Sequence, residues 1–279
     1  LRNGSLRIAA GEFYWSEAAM KAAAAAAAMG KESAETADNQ ETALAVRKED
    51  GGGSGKEEEE IDHDGGGTVV AIDGDAGTAA APASPSSSVG RPVLRNINFS
   101  AQPGELVAIV GPVGSGKSSL VNALLGEMVK SKGSVQTAGS VALAAQSPWI
   151  LNASVRDNIV FGEPFDKERY WKVVKVCQLE HDLNTLTDGD LTMIGERGIN
   201  LSGGQKQRVS IARAAYAGRD IQIFDDPLSA LDPEVANSVF EGCIHEYLAG
   251  TTRILVTNQL NLLSQCDRVV VIGNPGSAT

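Results

Sequence analysis

The chain has 279 residues, with 24 Lys or Arg and 35 Asp or Glu, and its formal net charge is −11. Its length suits one large domain or two small ones, and the negative charge is concentrated in residues 16–90, which hold 15 acidic and 5 basic residues. Because the remainder is close to neutral, free-standing nucleic-acid-binding proteins, which normally have a basic face, are disfavoured and no nucleic-acid partner is expected.

The cysteines and the hydropathy pattern predict a reducing compartment and no bilayer crossing. The three cysteines, Cys177, Cys243 and Cys266, form no Cys-x-x-Cys pair and no metal-type cluster, which is typical of free thiols. No run is long and apolar enough to cross a bilayer, and no signal peptide is visible after Leu1. We therefore expect a soluble piece of a longer protein.

Residues 16–90 are low in sequence complexity. They contain a polyalanine run, a glycine-rich stretch, four consecutive glutamates at Glu57–Glu60 and a Pro/Ser-rich stretch at residues 82–88. This composition offers little apolar surface to offset the entropy lost on folding. We predict a disordered acidic insertion at 16–90, which separates an N-terminal strand at 1–15 from a domain at 91–279.

From Pro92 onward, short apolar runs alternate with helical patterns. The first run, Leu106–Val110, is apolar throughout, as in a strand that is buried on both faces. Further strands are predicted at 141–145, 221–224, 254–257 and 269–272, and helices at 117–128, 166–180, 203–217 and 233–248. This alternation predicts a layered α/β domain. The helix-rich region at 147–200 predicts a helical subdomain inserted between strands.

A phosphate-binding loop is predicted at Gly111–Ser118. These residues follow the G-x-x-x-x-G-K-[ST] pattern and lie between a predicted strand and a predicted helix. The glycines let backbone N–H groups face an anion, and the helix that follows adds its positive N-terminal end. Lys117 can reach the β- and γ-phosphates of a nucleotide, and the Ser118 hydroxyl can ligate Mg²⁺. The strand–loop–helix context disfavours the alternative of a glycine-rich turn with a surface lysine.

Asp225 completes this predicted site. It ends the apolar run Ile221–Phe224, and a carboxylate at the end of a buried strand can hold the water shell of Mg²⁺ beside Ser118. An aspartate after an apolar run is a weak signal by itself. Together with the loop, it predicts a site for a nucleotide with Mg²⁺.

The string Leu201-Ser202-Gly203-Gly204-Gln205 resembles the signature of the ATP-binding-cassette (ABC) ATPases. Gln146 resembles the family's glutamine at the join to the helical subdomain, and Ser229-Ala230-Leu231-Asp232 resembles its D-loop. Stretches at 146–150, 158–162 and 225–232 resemble subfamily C, the multidrug-resistance-associated type, and especially the first of its two nucleotide-binding domains. The resemblance covers residues 91–272.

The resemblance implies an α/β fold with a P-loop NTPase core, a mixed sheet flanked by helices, an antiparallel β element and an inserted α-helical subdomain. It implies ATP and Mg²⁺ as ligands, with Ser118, Gln146 and Asp225 at the metal. The implied ATP-binding residues are Trp15, Gly111, Val113, Gly114, Ser115, Gly116, Lys117, Ser118, Ser119 and Gln146. Trp15, at the end of the N-terminal strand, is expected to stack on adenine, and the alternative is an ordinary core residue.

The resemblance also implies partners. ABC domains work as head-to-tail pairs, so the signature at Leu201–Gln205 is expected to face ATP held by a second nucleotide-binding domain, on the same polypeptide. Transmembrane domains are the other implied partners, which places this domain at the cytoplasmic face of a membrane. ATP then joins two cassettes, and its hydrolysis separates them and powers transport.

Two positions depart from the family's pattern. Asp226 stands where an efficient ABC ATPase has the glutamate that polarises water, and Asn258 stands where the family usually has histidine. Aspartate is one methylene shorter, and a displacement of about 1 Å at a catalytic group can cost on the order of 100-fold in rate. Asparagine can donate a hydrogen bond to a phosphate but cannot carry a charge. We therefore predict an ATPase that holds ATP well and hydrolyses it slowly at its own site.

Three functions remain open from the sequence. The leading one is the energy-coupling domain of an exporter, and the second is a nucleotide-gated channel or regulatory subunit of the same subfamily. The third, a soluble ABC ATPase in translation or DNA repair, is disfavoured by the near-neutral core and by the subfamily C stretches. Flanking transmembrane segments in the gene would separate the third function from the first two.

Overall fold

The computed structural model describes residues 2–15, 92–195 and 200–273, together with the backbone of residues 69–72. The chain divides into two compact units, residues 1–14 with 67–279, and residues 15–66. Apart from Trp15, the second unit lies outside the described residues, and so does most of the insertion predicted at 16–90. The structure differs from that prediction at Val69–Ile72, which form a short strand. This segment is apolar and rich in β-branched residues, a composition that favours strands.

A parallel sheet of six strands forms the centre of the first unit. Its strands, in spatial order, are β2 (Val69–Ile72), β11 (Arg268–Ile272), β4 (Leu106–Val110), β10 (Thr252–Val256), β9 (Ile221–Asp225) and β6 (Val141–Ala144). All five pairings between neighbours are parallel. Strands β4, β9 and β10 are buried along their whole length, although only β4 is apolar throughout.

A second sheet of three antiparallel strands is formed by β3 (Leu94–Ala101), β1 (Ser5–Tyr14) and β5 (Val129–Ala138), with β1 in the middle. The pairing of β1 is irregular near Gly11, where its register shifts against both β3 and β5. Gly133 in β5 has φ +77°, and a Cβ there would lie 2.3 Å from the carbonyl oxygen of Ala9. Only glycine fits this close approach of the two strands.

The helices surround the parallel sheet and form the inserted region. In chain order they are α1 (Lys117–Leu125), α2 (Val155–Val160), α3 (Lys167–Val176), α4 (Glu180–Thr185), α5 (Gly203–Ala217) and α6 (Pro233–Val239). A π-helix at Phe240–Tyr247 continues α6, and 3₁₀ turns lie at Gly189–Leu191 and Leu260–Gln265. A two-residue ladder joins β7 (Ala153–Ser154) to β8 (Met193–Ile194). None of the helices in the described ranges combines the length and apolarity that a bilayer crossing requires.

The predicted fold class is confirmed, since an α/β core with parallel strands is joined to an antiparallel β element and to a helix-rich region. Parallel and antiparallel strands occupy separate sheets. The helix predicted at 117–128 ends earlier, because Gly126 adopts φ 82° and closes α1 as a left-handed cap. The helix predicted at 233–248 is present but changes to π geometry after Val239.

The largest apolar cluster links the helix-rich region to the parallel sheet. Helix α5 contributes most of one side of it, and Tyr216, near its C-terminal end, is fully buried next to Tyr170 of α3. Cys177 and Cys243 meet in the same cluster, with their Sγ atoms 3.6 Å apart and both thiols free. Helix α5 is therefore packed into the core from its middle to its C-terminal end.

Candidate functional site

A cavity of about 280 Å³ lies where the parallel strands β4, β9 and β10 end. Carboxyl ends of neighbouring parallel strands meet at one edge of the sheet, which is the usual ligand-binding edge of open α/β sheets. The cavity brings together ten residues that the sequence analysis singled out: Val113, Gly114, Gly116, Lys117, Ser118, Ser119, Gln146, Asp225, Asp226 and Asn258. Two further lining residues, Val93 and Val256, were not predicted.

The loop between β4 and α1 has the geometry of an anion cradle. Gly114 and Gly116 have φ values of 81° and 100°, which allow the chain to curl around a point in front of the helix. Gly116 precedes α1 and offers no side-chain cap, so the first N–H groups of the helix are available to a ligand. The Ser115 hydroxyl is buried in this loop without a hydrogen-bond partner among the described residues.

The Lys117 ammonium group is hydrogen-bonded within the phosphate loop. Its Nζ donates to the carbonyl oxygens of Gly111 at 2.6 Å and Pro112 at 3.0 Å. Gly111 itself lies so close to β11 that a Cβ would be 2.3 Å from the carbonyl oxygen of Ile272. The loop is therefore anchored to the sheet at its first residue, and the ammonium group lies at the cavity.

Asp225 is buried at the end of β9, and only 8% of its surface is exposed. Burial raises the pKa of its carboxyl group, the negative charge of Asp226 adds to this, and a hydrogen bond with Ser118 and the charge of Lys117 oppose it. Its Oδ1 has no hydrogen-bond partner among the described residues. A buried carboxylate oxygen without a partner, beside a serine hydroxyl, is a donor set that suits Mg²⁺.

We expect Asp225→Asn to stabilise the nucleotide-free protein while it weakens Mg²⁺-dependent nucleotide binding. Because folding raises the pKa of Asp225, its protonated form favours the folded state. This contribution to stability is complete below the pKa of the unfolded chain, about 3.8, and is lost as pH rises through the pKa of the folded protein. At pH 7 the ionised carboxylate is therefore unfavourable, and because the amide removes this cost, we expect the Tm of the nucleotide-free protein to rise.

Thermal melting with and without MgATP measures both effects of this substitution. Asp220→Asn is the control, because Asp220 is only partly buried and its pKa is lowered by hydrogen bonds from Ser140. The control is expected to lower Tm and to leave nucleotide binding unchanged. A lower Tm for Asp225→Asn would contradict the argument from burial.

Asp226 and Asn258 both line the cavity. Asp226 has φ 47°, in the left-handed region, and its N–H donates to the carbonyl oxygen of Val256 at 3.0 Å. Its own carbonyl accepts the Ser229 hydroxyl at 2.9 Å, which ties the position to the D-loop sequence. Aspartate tolerates this backbone conformation better than most residues. Asn258 is exposed just after β10 and presents a neutral amide.

The sequence Leu201–Gln205 does not line this cavity in the described part of the chain. Leu201 is buried, and Ser202 caps α5 by accepting the N–H of Gln205 at 3.2 Å. The Gln205 Oε1 accepts a hydrogen bond from the Ser202 N–H at 2.9 Å, and this second bond completes a capping box. The segment is thus a well-formed helix start on a separate part of the surface.

The two glycines of this segment have different surroundings. A Cβ at Gly204 would lie 3.2 Å from the carbonyl oxygen of Ala230 and 3.4 Å from Leu231, so this glycine allows α5 to approach the D-loop sequence. A Cβ at Gly203 would meet no atom within 4 Å among the described residues. Asp232 ends the D-loop sequence Ser229–Asp232 and immediately precedes α6.

Trp15 directly follows β1 and is half-buried. Val93 donates its N–H to the carbonyl oxygen of Phe13 at 3.0 Å and is 47% exposed at the cavity. The sequence carries no signal for Val93, because a single valine in a loop has no distinguishing pattern. Only the pairing of β1 with β3 places it beside the phosphate loop.

Comparison with known proteins identifies the type of domain. The protein-family model described as "ABC transporter" matches residues 94–229. The chain is 50% identical to human ATP-binding cassette sub-family C member 4 over 181 residues, which are 65% of this chain and 14% of that protein. It is 50% identical to the oligomycin resistance ATP-dependent permease of Saccharomyces cerevisiae over 183 residues, 66% of this chain and 12% of the permease.

A third relative is ABC transporter C family member 3 of Dictyostelium discoideum, 54% identical over 179 residues, which are 64% of this chain and 13% of that protein. The chain therefore spans about an eighth of the length of the curated relatives that it matches. These similarities confirm the resemblance to subfamily C that the sequence motifs predict.

Proposed function

Since residues 94–229 are an ABC transporter domain with subfamily C relatives, we propose that this chain is a nucleotide-binding domain that binds ATP with Mg²⁺ and pairs with a second such domain to power export across a membrane. The observation that carries the proposal is the cavity at the edge of the parallel sheet, where the phosphate loop, Gln146 and Asp225 converge. The export substrate is selected by parts of the protein other than this domain.

Each part of the nucleotide has a matching group. The N–H groups at the start of α1 and the Lys117 ammonium bind the phosphates, because both present positive charge to the cavity. Ser118, Asp225 and Gln146 hold Mg²⁺, which neutralises phosphate charge when bound. Val93 lines the cavity and offers the adenine an apolar contact. Stacking of the adenine on Trp15 stays a prediction from the sequence.

Gly203 supports a second nucleotide-binding domain as partner. Nothing in the described part of this chain demands a glycine there, since its surroundings are open and its φ is not in the left-handed region. The missing side chain leaves room for another molecule to approach the backbone closely at the start of α5. We propose that this molecule is the ATP of the partner domain, which the N-terminus of α5 and the Ser202 hydroxyl would face.

An apolar patch supports contact with transmembrane domains. It consists of the half-exposed side chains Trp149, Leu151, Phe161 and Met193 on the helix-rich region. Trp149 and Phe161 stack edge to face at 5.2 Å, and the Arg213 guanidinium lies 3.9 Å from the Trp149 ring centre. Burial lowers the pKa of Arg213 to about 10, so it stays charged at neutral pH and holds the aromatic pair in place. The patch supports a position beside a membrane. The cytoplasmic face remains our proposal.

A direct test of the proposal is the substitution Lys117→Ala. Removing the ammonium leaves the phosphates without a charged donor, and we expect the Kd for MgATP to rise about 100-fold. Fluorescence titration with a labelled ATP analogue and millimolar Mg²⁺ measures it. Lys132→Ala is the control, because Lys132 pairs with Glu12 on the antiparallel sheet and should leave the Kd unchanged. Equal affinity in the wild type and in Lys117→Ala would refute the proposal.

A nucleotide-gated channel or regulatory subunit is the second candidate, and Asp226 with Asn258 favours it. Both groups reach the cavity but suit slow hydrolysis, so occupancy by ATP could itself be the signal. Measurement of substrate flux and of ionic current in the full-length protein separates the two: export predicts flux without current, and a channel predicts current that persists with a non-hydrolysable ATP analogue.

A further inference from the structure

Asp182 lies where helix α4 meets the start of α5. Its Oδ1 accepts a hydrogen bond from Gln205 Nε2 at 2.9 Å, and its Oδ2 is 2.7 Å from Nη1 of Arg208. Both charged side chains are largely buried, with 16% of Asp182 and 14% of Arg208 exposed. Arg208 also donates to the carbonyl oxygen of Gln178, which has φ 55°. One carboxylate therefore connects the helix-rich region to the third and sixth residues of α5.

The contact with Asp182 determines how the Gln205 amide is oriented. A carboxylate can only accept, so the NH₂ end of the amide must face Asp182. The carbonyl end then faces the Ser202 N–H, to which it is bonded at 2.9 Å. If the amide rotated, its NH₂ would face an N–H donor and the capping box would be lost.

The capping box in turn orients the Ser202 hydroxyl. Its Oγ accepts the Gln205 N–H at 3.2 Å, and no described residue accepts its hydrogen. The hydroxyl hydrogen is therefore available outward, beside the open Gly203. We infer that Asp182 is a positioning residue for the second domain's ATP: through Gln205 it holds Ser202 in the orientation that donates to the γ-phosphate.

This inference rests on the proposed pairing of two domains, and a set of variants in the full-length protein tests it. Asp182→Ala is expected to lower vanadate-induced nucleotide trapping at the second domain about tenfold and to raise the apparent KM for ATP there. ATP photolabelling of this domain's own phosphate loop should stay unchanged, because Asp182 does not line that cavity. The control is Asp190→Ala, which removes a comparably buried carboxylate that pairs with Arg156 at 2.7 Å elsewhere in the helix-rich region.

A reciprocal exchange separates positioning from a general structural role. Gln205→Glu alone places two carboxylates at 2.9 Å and is expected to reduce trapping more than Asp182→Ala does. Adding Asp182→Asn restores the contact in reverse, because the asparagine donates and the glutamate at position 205 accepts. The second oxygen of that glutamate still accepts the Ser202 N–H. We expect the double variant to recover most of the trapping. If Asp182 only stabilised the fold and did not position Ser202, the double variant would not recover nucleotide trapping.

The outcomes distinguish this inference from the proposed function. If Ser202→Ala leaves trapping at the second domain unchanged, the proposed pairing fails. If Ser202→Ala reduces trapping but Asp182→Ala resembles Asp190→Ala, or Asp182→Asn fails to rescue Gln205→Glu, the role of Asp182 is overturned and the pairing stands.

Discussion

Gly203→Asp is expected to reduce nucleotide trapping at the second domain at least 100-fold without destabilising this domain. The new side chain enters open space, and a carboxylate in the first turn of α5 interacts favourably with the helix dipole. The same charge would face the partner's phosphates at short range, where like charges repel by several kcal/mol. Tm is therefore expected to be equal or slightly higher, while trapping with vanadate in the full-length protein is lost.

Gly204→Ala provides the contrasting variant one residue further along. Its Cβ would lie 3.2 Å from the Ala230 carbonyl oxygen, so it presses on the D-loop sequence and should lower Tm by roughly 2–4 °C, which corresponds to about 1 kcal/mol. Gly203→Ala should leave Tm unchanged. If Gly203→Asp lowers Tm as much as Gly204→Ala does, the open surroundings of Gly203 do not describe the folded protein, and the argument for a partner there is lost.

The double substitution Asp226→Glu with Asn258→His is expected to raise steady-state ATP hydrolysis at this domain's site by about 100-fold. Glutamate extends the carboxylate by one methylene towards the phosphates, and a positional error of about 1 Å can cost that factor. Histidine restores a group that can carry positive charge near the γ-phosphate. Hydrolysis is measured in the full-length protein with the second domain's phosphate-loop lysine replaced, so that turnover reports this site alone.

Stability gives an independent readout of the same double variant. Asp226 has φ 47°, which glutamate tolerates less well than aspartate, so Tm should fall slightly as the rate rises. Asp226→Asn keeps the tolerated backbone and removes the base, and it should lower the residual rate further. Flat turnover in the double variant would mean that these two positions do not account for the slow step, and the regulatory candidate would gain support.

The local motifs could be predicted because their chemistry depends on residues that are close in the chain. Gly111–Ser118 needs only a strand before it and a helix after it, and both are evident in the sequence and present in the structure. The helix at Gly203–Ala217 follows from its helical pattern of residues, whereas the capping box at Ser202 is seen only in the structure. Asp225 follows from its place at the end of a mostly apolar strand that comes after the phosphate loop in the chain.

Other features depend on contacts between distant segments, and the sequence carries no signal for them. The strand at Val69–Ile72 lies in a segment of disorder-prone composition, and pairing with β11 defines it. Val93 reaches the cavity through its hydrogen bond to Phe13, 80 positions earlier in the chain. The role inferred for Asp182 depends on the packing of α4 beside α5.

The sequence by itself predicted the phosphate loop and its place between a strand and a helix, because a phosphate-binding loop is encoded by spacing within a few residues. Only the tertiary structure decided which groups are buried, unpaired or crowded: it distinguishes Gly203 from Gly204, leaves the Asp225 oxygen without a partner and joins Asp182 to Gln205. Burial and pairing arise when strands and helices far apart in the chain pack together, so no pattern of neighbouring residues encodes them.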